Sequence, residues 1–169
     1  MRAGGFAAVT VGPVMHAAGL THGAFYAHFP SRARLLLEGA ARALSEARAD
    51  LEKRVRKRRG PAIAAFVDAY LSPQHRDRPA DGCALAALAR DVGLGDGALQ
   101  RLFEHEYESY ADWVAGMLGG GSARRPQAVA TLCTLVGALT IARALGPSRA
   151  SNEILELARA SVRTTLDIA

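Results

Sequence analysis

The residues best placed to do chemistry stand in Thr10 to Arg32, TVGPVMHAAGLTHGAFYAHFPSR, and the chemistry is hydrogen bonding to a nucleic acid, not bond cleavage. His22 can hydrogen-bond a guanine edge. Gly23 and Ala24 carry so little side chain that the backbone can come close to a thymine methyl or a phosphate. Tyr26 suits a phosphate oxygen, and so does Arg32, which opens the helix that Ser31 caps. His28 points away from the apolar side with them. A plainer alternative is that Phe25, Tyr26 and Phe29 form an ordinary aromatic corner between helices.

No other part of the chain offers chemistry as coherent. His105-Glu106 lacks the second histidine four positions on that a zinc-protease helix needs. No glycine loop has a phosphate-cradling pattern, no two cysteines have metal spacing, and His16, His22 and His28 do not converge as ligands. An enzyme is therefore not expected, nor a cofactor, nor a metal. Cys83 follows Asp81-Gly82 in what reads as the first turn of a helix capped by Asp81, beside His75, Arg76 and Arg78. A helix dipole favours a thiolate there, so a redox- or electrophile-sensing thiol is one expectation and structural burial the other. Cys133, midway along an apolar helix, is expected to pack.

Two short helices must position the reading residues. Thr10 can cap the first, with Pro13 harmless in its first turn and Val11, Val14, Met15 and Ala18 on the apolar face. Gly19 ends it, because glycine accepts the left-handed backbone of a tight helix-to-helix turn. Thr21 then caps a second helix whose Phe25 and Phe29, four apart, pack on the first. That is a helix-turn-helix, whose second helix enters the major groove with its N-terminal residues against base edges.

The order of residues from Ala17 to Arg32, AAGLTHGAFYAHFPSR, resembles the TetR family of transcriptional regulators. The resemblance implies a supporting helix led by Thr10, a recognition helix carrying His22, Gly23, Ala24 and Tyr26, and a phosphate contact at Arg32. Gly12 stands where relatives often have a long polar side chain. Only Met1 to Gly4 precede Gly5-Phe6, where the family ordinarily has another helix. The resemblance also implies dimerisation through the final helices and a small-molecule pocket in the body.

Half of the 169 residues are apolar, Ala and Leu abound and strand-like runs are almost missing, so an all-α fold follows. A head over residues 1–45 and a ligand-binding and dimerisation body over 46–169 are expected. From Ser31 a long helix carries Leu36, Ala40, Leu44, Ala47, Leu51 and Val55 toward Gly60-Pro61. Further helices are expected at Ala62–Leu71, Gly82–Val92, Ala98–Leu118, Pro126–Leu145 and Ser151–Ile168, with Ser72–Ala80 as a surface loop. Phe66, Tyr70, Leu88, Phe103, Tyr107, Tyr110, Trp113 and Met117, with Cys83, are candidates to line an apolar ligand pocket.

The run Val129–Leu145 is short for a membrane span and is interrupted by Thr131, Thr134, Thr140 and Arg143, so a buried helix is expected and no membrane. A helix apolar on nearly every side must be covered on nearly every side. A second copy supplies the cover, through Val129, Leu132, Val136, Leu139, Ile154, Ala158 and Val162 in a four-helix bundle.

The net charge of +5 is uneven: residues 1–60 hold 11 Lys/Arg against 4 Asp/Glu. Six of those cations lie in one run, Lys53 to Arg59, which reads as a solvated helix end facing the negative pole of its own dipole. Two cysteines without a paired framework fit a reducing cytoplasm.

Together these point to a homodimeric repressor on a double-stranded, pseudo-palindromic operator, released by a small molecule or by thiol modification. The alternative is a ligand-binding or protein-interaction dimer that does not bind DNA in this form.

Overall fold

The computed structural model describes residues 1–168, and among them the regular structure is helical throughout. The head has α1 (Val11–Ala17), a 3-10 turn at His22–Ala24 and α2 (Phe25–His28). The long α3 (Arg32–Arg56) leads into a body of α4 (Ala62–Tyr70), α5 (Pro73–Asp77), α6 (Ala84–Gly93), α7 (Gly97–Met117), α8 (Arg125–Ala144) and α9 (Arg149–Leu166).

Two cores meet on α3. The small one gathers Met15, Phe25 and Leu35, with Val11, Val14 and Phe29 half-buried around them. The large one begins at the very next residue, Leu36, and continues through Ala40, Leu44, Ala47, Leu51 and Val55 against α4, α6 and α7. Every residue of the expected α3 stripe is buried. At about 1.5 Å per residue, α3 spans about 37 Å and carries the head at one end of a rod whose length the body grips.

The expected surface loop at Ser72–Ala80 is instead a structured corner. Ser72 caps α5, its hydroxyl accepting the His75 N–H at 3.1 Å, and Pro73 takes the first helical position, where no N–H is needed. The helix turns His75 and Arg76 inward, leaving them 4% and 5% exposed. Arg76 donates to Ser151 Oγ at 2.9 Å and Asn152 Oδ1 at 2.7 Å, which ties α5 to the start of α9. Asp81 does not cap the next helix; it closes a 3-10 turn at Pro79–Asp81, and Cys83 takes the N-cap position of α6.

Candidate nucleic-acid interface

The turn at the head forms as the sequence requires. Gly19 has φ of +71°, its N–H donates to the His16 carbonyl at 3.0 Å, and the Leu20 N–H reaches back to Met15 at 2.9 Å. A side chain at Gly19 would have to adopt a left-handed backbone to preserve those bonds. Beyond it, the second helix is split into the His22–Ala24 turn and the four-residue α2. Neither Thr10 nor Thr21 makes a side-chain cap, although both have the extended backbone of a cap residue.

One side of this element is spent on the head's own core. Phe25 is 2% exposed, stacks on Phe29 at 5.7 Å between ring centroids and packs with Met15 and Leu35. The other side is open: His22, Gly23, Tyr26 and His28 are exposed, Tyr26 at 74%, while Ala24 is half-buried. Gly12 belongs to the same surface, since a Cβ built there would lie 3.8 Å from His22 Nδ1. The exposed Thr10 and Thr21 flank the segment. The Tyr26 ring leans edge-on against Phe25 at 5.1 Å, which fixes where its hydroxyl projects.

Arg32 is exposed but already engaged. Its Nη2 donates to the Phe6 carbonyl at 2.9 Å and its Nε to that of Val9 at 3.2 Å, so two of its five N–H donors brace the segment before α1. The Phe6 N–H in turn donates to Asp91 of α6 at 2.6 Å, a link from head to body that the sequence did not signal. Gly5 permits it, with φ of +68° and a Cβ position only 2.4 Å from an Asp91 oxygen.

In the body, the residues expected to line a pocket belong to the large core, spread along α4, α6 and α7. Phe66, Tyr70, Cys83, Leu88 and Tyr110 are buried, with Phe103, Tyr107, Trp113 and Met117 half-buried against them. Trp113 packs edge-on to Phe66 at 5.1 Å, and Tyr110 lies 6.2 Å from Trp113. Phe66, Tyr70, Leu88 and Tyr110 have no accessible surface, so they pack as core in this state. Burial, reinforced by the adjacent Cys83 thiol, pushes both the Tyr70 and Tyr110 hydroxyls up. Among the described residues neither hydroxyl has a hydrogen-bond partner of good geometry.

Cys83 is 2% exposed, and its N–H donates to His75 Nε2 at 2.9 Å. A sensing thiol needs access that this position lacks. Cys133, expected to pack, is exposed on the outer side of α8. The sequence placed His75 beside Cys83 but gave no sign of Arg143 as a member of this corner. Arg143 of α8 donates to the His75 carbonyl at 2.9 Å, and its burial lowers the guanidinium from its usual range.

The structure also divides the expected dimer residues. Leu132, Leu139 and Val162 are buried in the chain's own core, so they are unavailable to a partner. Val129, Val136, Ile154 and Ala158 are half-buried at the edge of that core. The apolar surface left uncovered is different: Ile141 at 54%, Leu145 at 48% and Leu157 at 63%, with Cys133 exposed and Gly137 half-buried on the same helix as the first two. The segment Ser122–Ala144 is long and apolar enough to cross a membrane, but Ala128, Leu132, Leu135, Leu139 and Ala142 face the body core.

Residues 1–38 match the family model described as "Bacterial regulatory proteins, tetR family". No curated protein matches the chain. Two solved structures share the fold. A protein from Pseudomonas aeruginosa PAO1 described as a transcriptional regulator has a TM-score of 0.72 at 19% identity, covering 98% of this chain and 84% of its own. A TetR-family transcriptional regulator from Agrobacterium tumefaciens has a TM-score of 0.69 at 22% identity, covering 98% and 89%. The first 38 residues thus match that family's model, and the helices of nearly the whole chain are arranged as in these two solved structures.

Proposed function

We propose that the chain is a DNA-binding transcriptional repressor acting as a homodimer, with the His22–His28 segment of each head in the major groove of one half-site. The observation that carries this reading is the two-sidedness of that segment: Phe25 locks it to the head while His22, Gly23 and Tyr26 face outward with Gly12 beside them. An aromatic corner alone would leave Tyr26 inside. His22 reads a base edge, Gly23 allows close approach, and Tyr26 and the N–H groups near Thr21 hold phosphates. Arg32 serves chiefly as a brace.

Two heads about 34–36 Å apart would read a pseudo-palindrome. The partner covers Cys133, Gly137, Ile141 and Leu157 of α8 and α9, a surface on which Ile141 and Leu157 are the exposed apolar anchors. A small molecule entering between α4, α6 and α7 would have to displace packed aromatics. Movement there reaches the head through α3 and through the Phe6–Asp91 link, and DNA is released. Thiol modification at Cys83 is not part of this mechanism.

Fluorescence anisotropy on duplex DNA taken from upstream of the chain's own coding region tests the reading. Two protomers per site are expected, with affinity falling steeply between about 50 and 200 mM salt. His22→Ala and Tyr26→Ala should each weaken specific binding by about tenfold or more, since a good base or phosphate contact contributes about 1–3 kcal/mol. Lack of binding at low salt, both by this chain and by a version extended by the upstream codons, would favour the dimer that does not bind DNA.

A further inference from the structure

The basic run at the end of α3 is only partly a solvated helix end. Lys53 Nζ lies 3.3 Å from Asp50 and Arg56 Nη1 3.8 Å from Glu52, so these two are matched along the helix. Arg54, Lys57 and Arg58 are not: among the described residues none of them has a carboxylate within ion-pair distance. Arg54 lies in the last turn of α3, Lys57 is its C-cap and Arg58 follows in the turn, and all three line the same side of the helix end. That face opens onto a cleft of about 340 Å³, whose far wall is Ala69, Ser72 and Gln74 at the α4–α5 corner.

A second cleft of about 550 Å³ is lined by Arg58, Asp68, Ser72, Pro73, Arg159 and Arg163. Arg58 and Ser72 belong to both, so the two are continuous. Together they present five cations and one carboxylate, and Asp68 is already held by Arg163 at 2.8 Å. The dipole of α3 offsets roughly half a charge, far less than the three unpaired cations. The cleft lies about 37 Å along α3 from Arg32, out of reach of DNA held by the same head. It is a shallow, open cleft whose volumes lie within the size of small-ligand sites.

We propose that this double cleft binds a small anion carrying two or more phosphate groups, held at one end by Arg54, Lys57 and Arg58 and approached at the other by Arg159 and Arg163. Such a ligand would bridge the end of α3 to the α4–α5 corner and to α9. It supplies the counter-charge that the chain itself does not.

Titration calorimetry of the full chain with sodium tripolyphosphate, at about 150 mM ionic strength to suppress diffuse attraction, is the test. Saturable binding of one anion per chain is expected. The triple variant R54Q/K57Q/R58Q, all exposed positions, should weaken it by about tenfold or more. R90Q/R101Q/R149Q removes the same charge from exposed positions elsewhere and should change it by less than about threefold. Saturable heat that is missing from the parent, or equal weakening by both triple variants, would overturn the site. So would a cleft variant that loses non-specific duplex DNA but keeps tripolyphosphate, which would make this face a macromolecular polyanion contact instead.

Discussion

Acid should loosen the body at His75 before it touches the carboxylates. The ring has both nitrogens committed: Nδ1 sits 2.7 Å from the Tyr70 carbonyl oxygen, which can only accept, and Nε2 accepts the Cys83 N–H. That arrangement requires the neutral imidazole with its proton on Nδ1. Burial pushes the ring down to about 4 from 6.5; the Tyr70 carbonyl opposes the change, and Arg143 of α8 and Arg54 of α3 add to it. The unfolded chain thus takes up a proton near pH 6.5 that the native chain refuses until about pH 4, so stability falls as pH falls through that window. From the two values the loss is about 2 kcal/mol between pH 7 and pH 5, and about 3 kcal/mol by pH 4. Urea unfolding followed by helicity at about pH 7, 6 and 5 measures it, with His75→Gln as reference, since glutamine keeps a donor and an acceptor but does not titrate. Every other titrating group cancels in the comparison. The parent should lose about 2 kcal/mol more than the variant over this range; equal slopes would mean that His75 is not held neutral by the corner, and the account of α4, α6 and α8 joining there would fail.

Further outcomes follow from single side chains. Tyr26→Ala should leave stability within about 0.5 kcal/mol while DNA affinity drops, whereas Phe25→Ala should cost about 3 kcal/mol or more and unfold the head, both measurable by thermal melts alongside anisotropy. Ile141→Asp should convert a dimer to a monomer in sedimentation velocity without unfolding it, because Ile141 is half exposed in the isolated chain. Asp91→Asn weakens a bond to the Phe6 N–H that a charged acceptor makes strong, and should speed hydrogen exchange at residues 1–9 while leaving α7 and α8 protected. A maleimide should leave Cys83 unmodified in the folded chain and label it once denaturant is added, read by intact mass.

What the sequence made legible was whatever had a phase. Gly19 between two helical runs, Phe25 and Phe29 four apart, and the α3 stripe each fix a turn or one side of a helix: Gly19 takes the left-handed backbone, Phe25 and the stripe are buried, and Phe29 is half-buried against them. Ser72-Pro73 has no such single meaning: the pair stops a helix when the chain turns outward and starts one when serine caps, and only the packing of His75 and Arg76 decides. On α8 the signal fails for the opposite reason. With apolar residues on every side, the pattern demands that the helix be covered but cannot say which residues the chain covers for itself. Hence Leu132 and Leu139 went inward and Ile141 was left out. Charge counts are blinder still, because composition records how many cations there are and not which have carboxylates four residues away. Arg34 and Glu38 cancel at 2.6 Å on the same helix whose far end leaves Arg54, Lys57 and Arg58 without a carboxylate at ion-pair distance among the described residues. The excess positive charge of residues 1–60 therefore lies largely at the far end of α3, about 37 Å from the head, while the exposed side of the head carries His22, Tyr26 and His28, hydrogen-bonding groups in place of net charge.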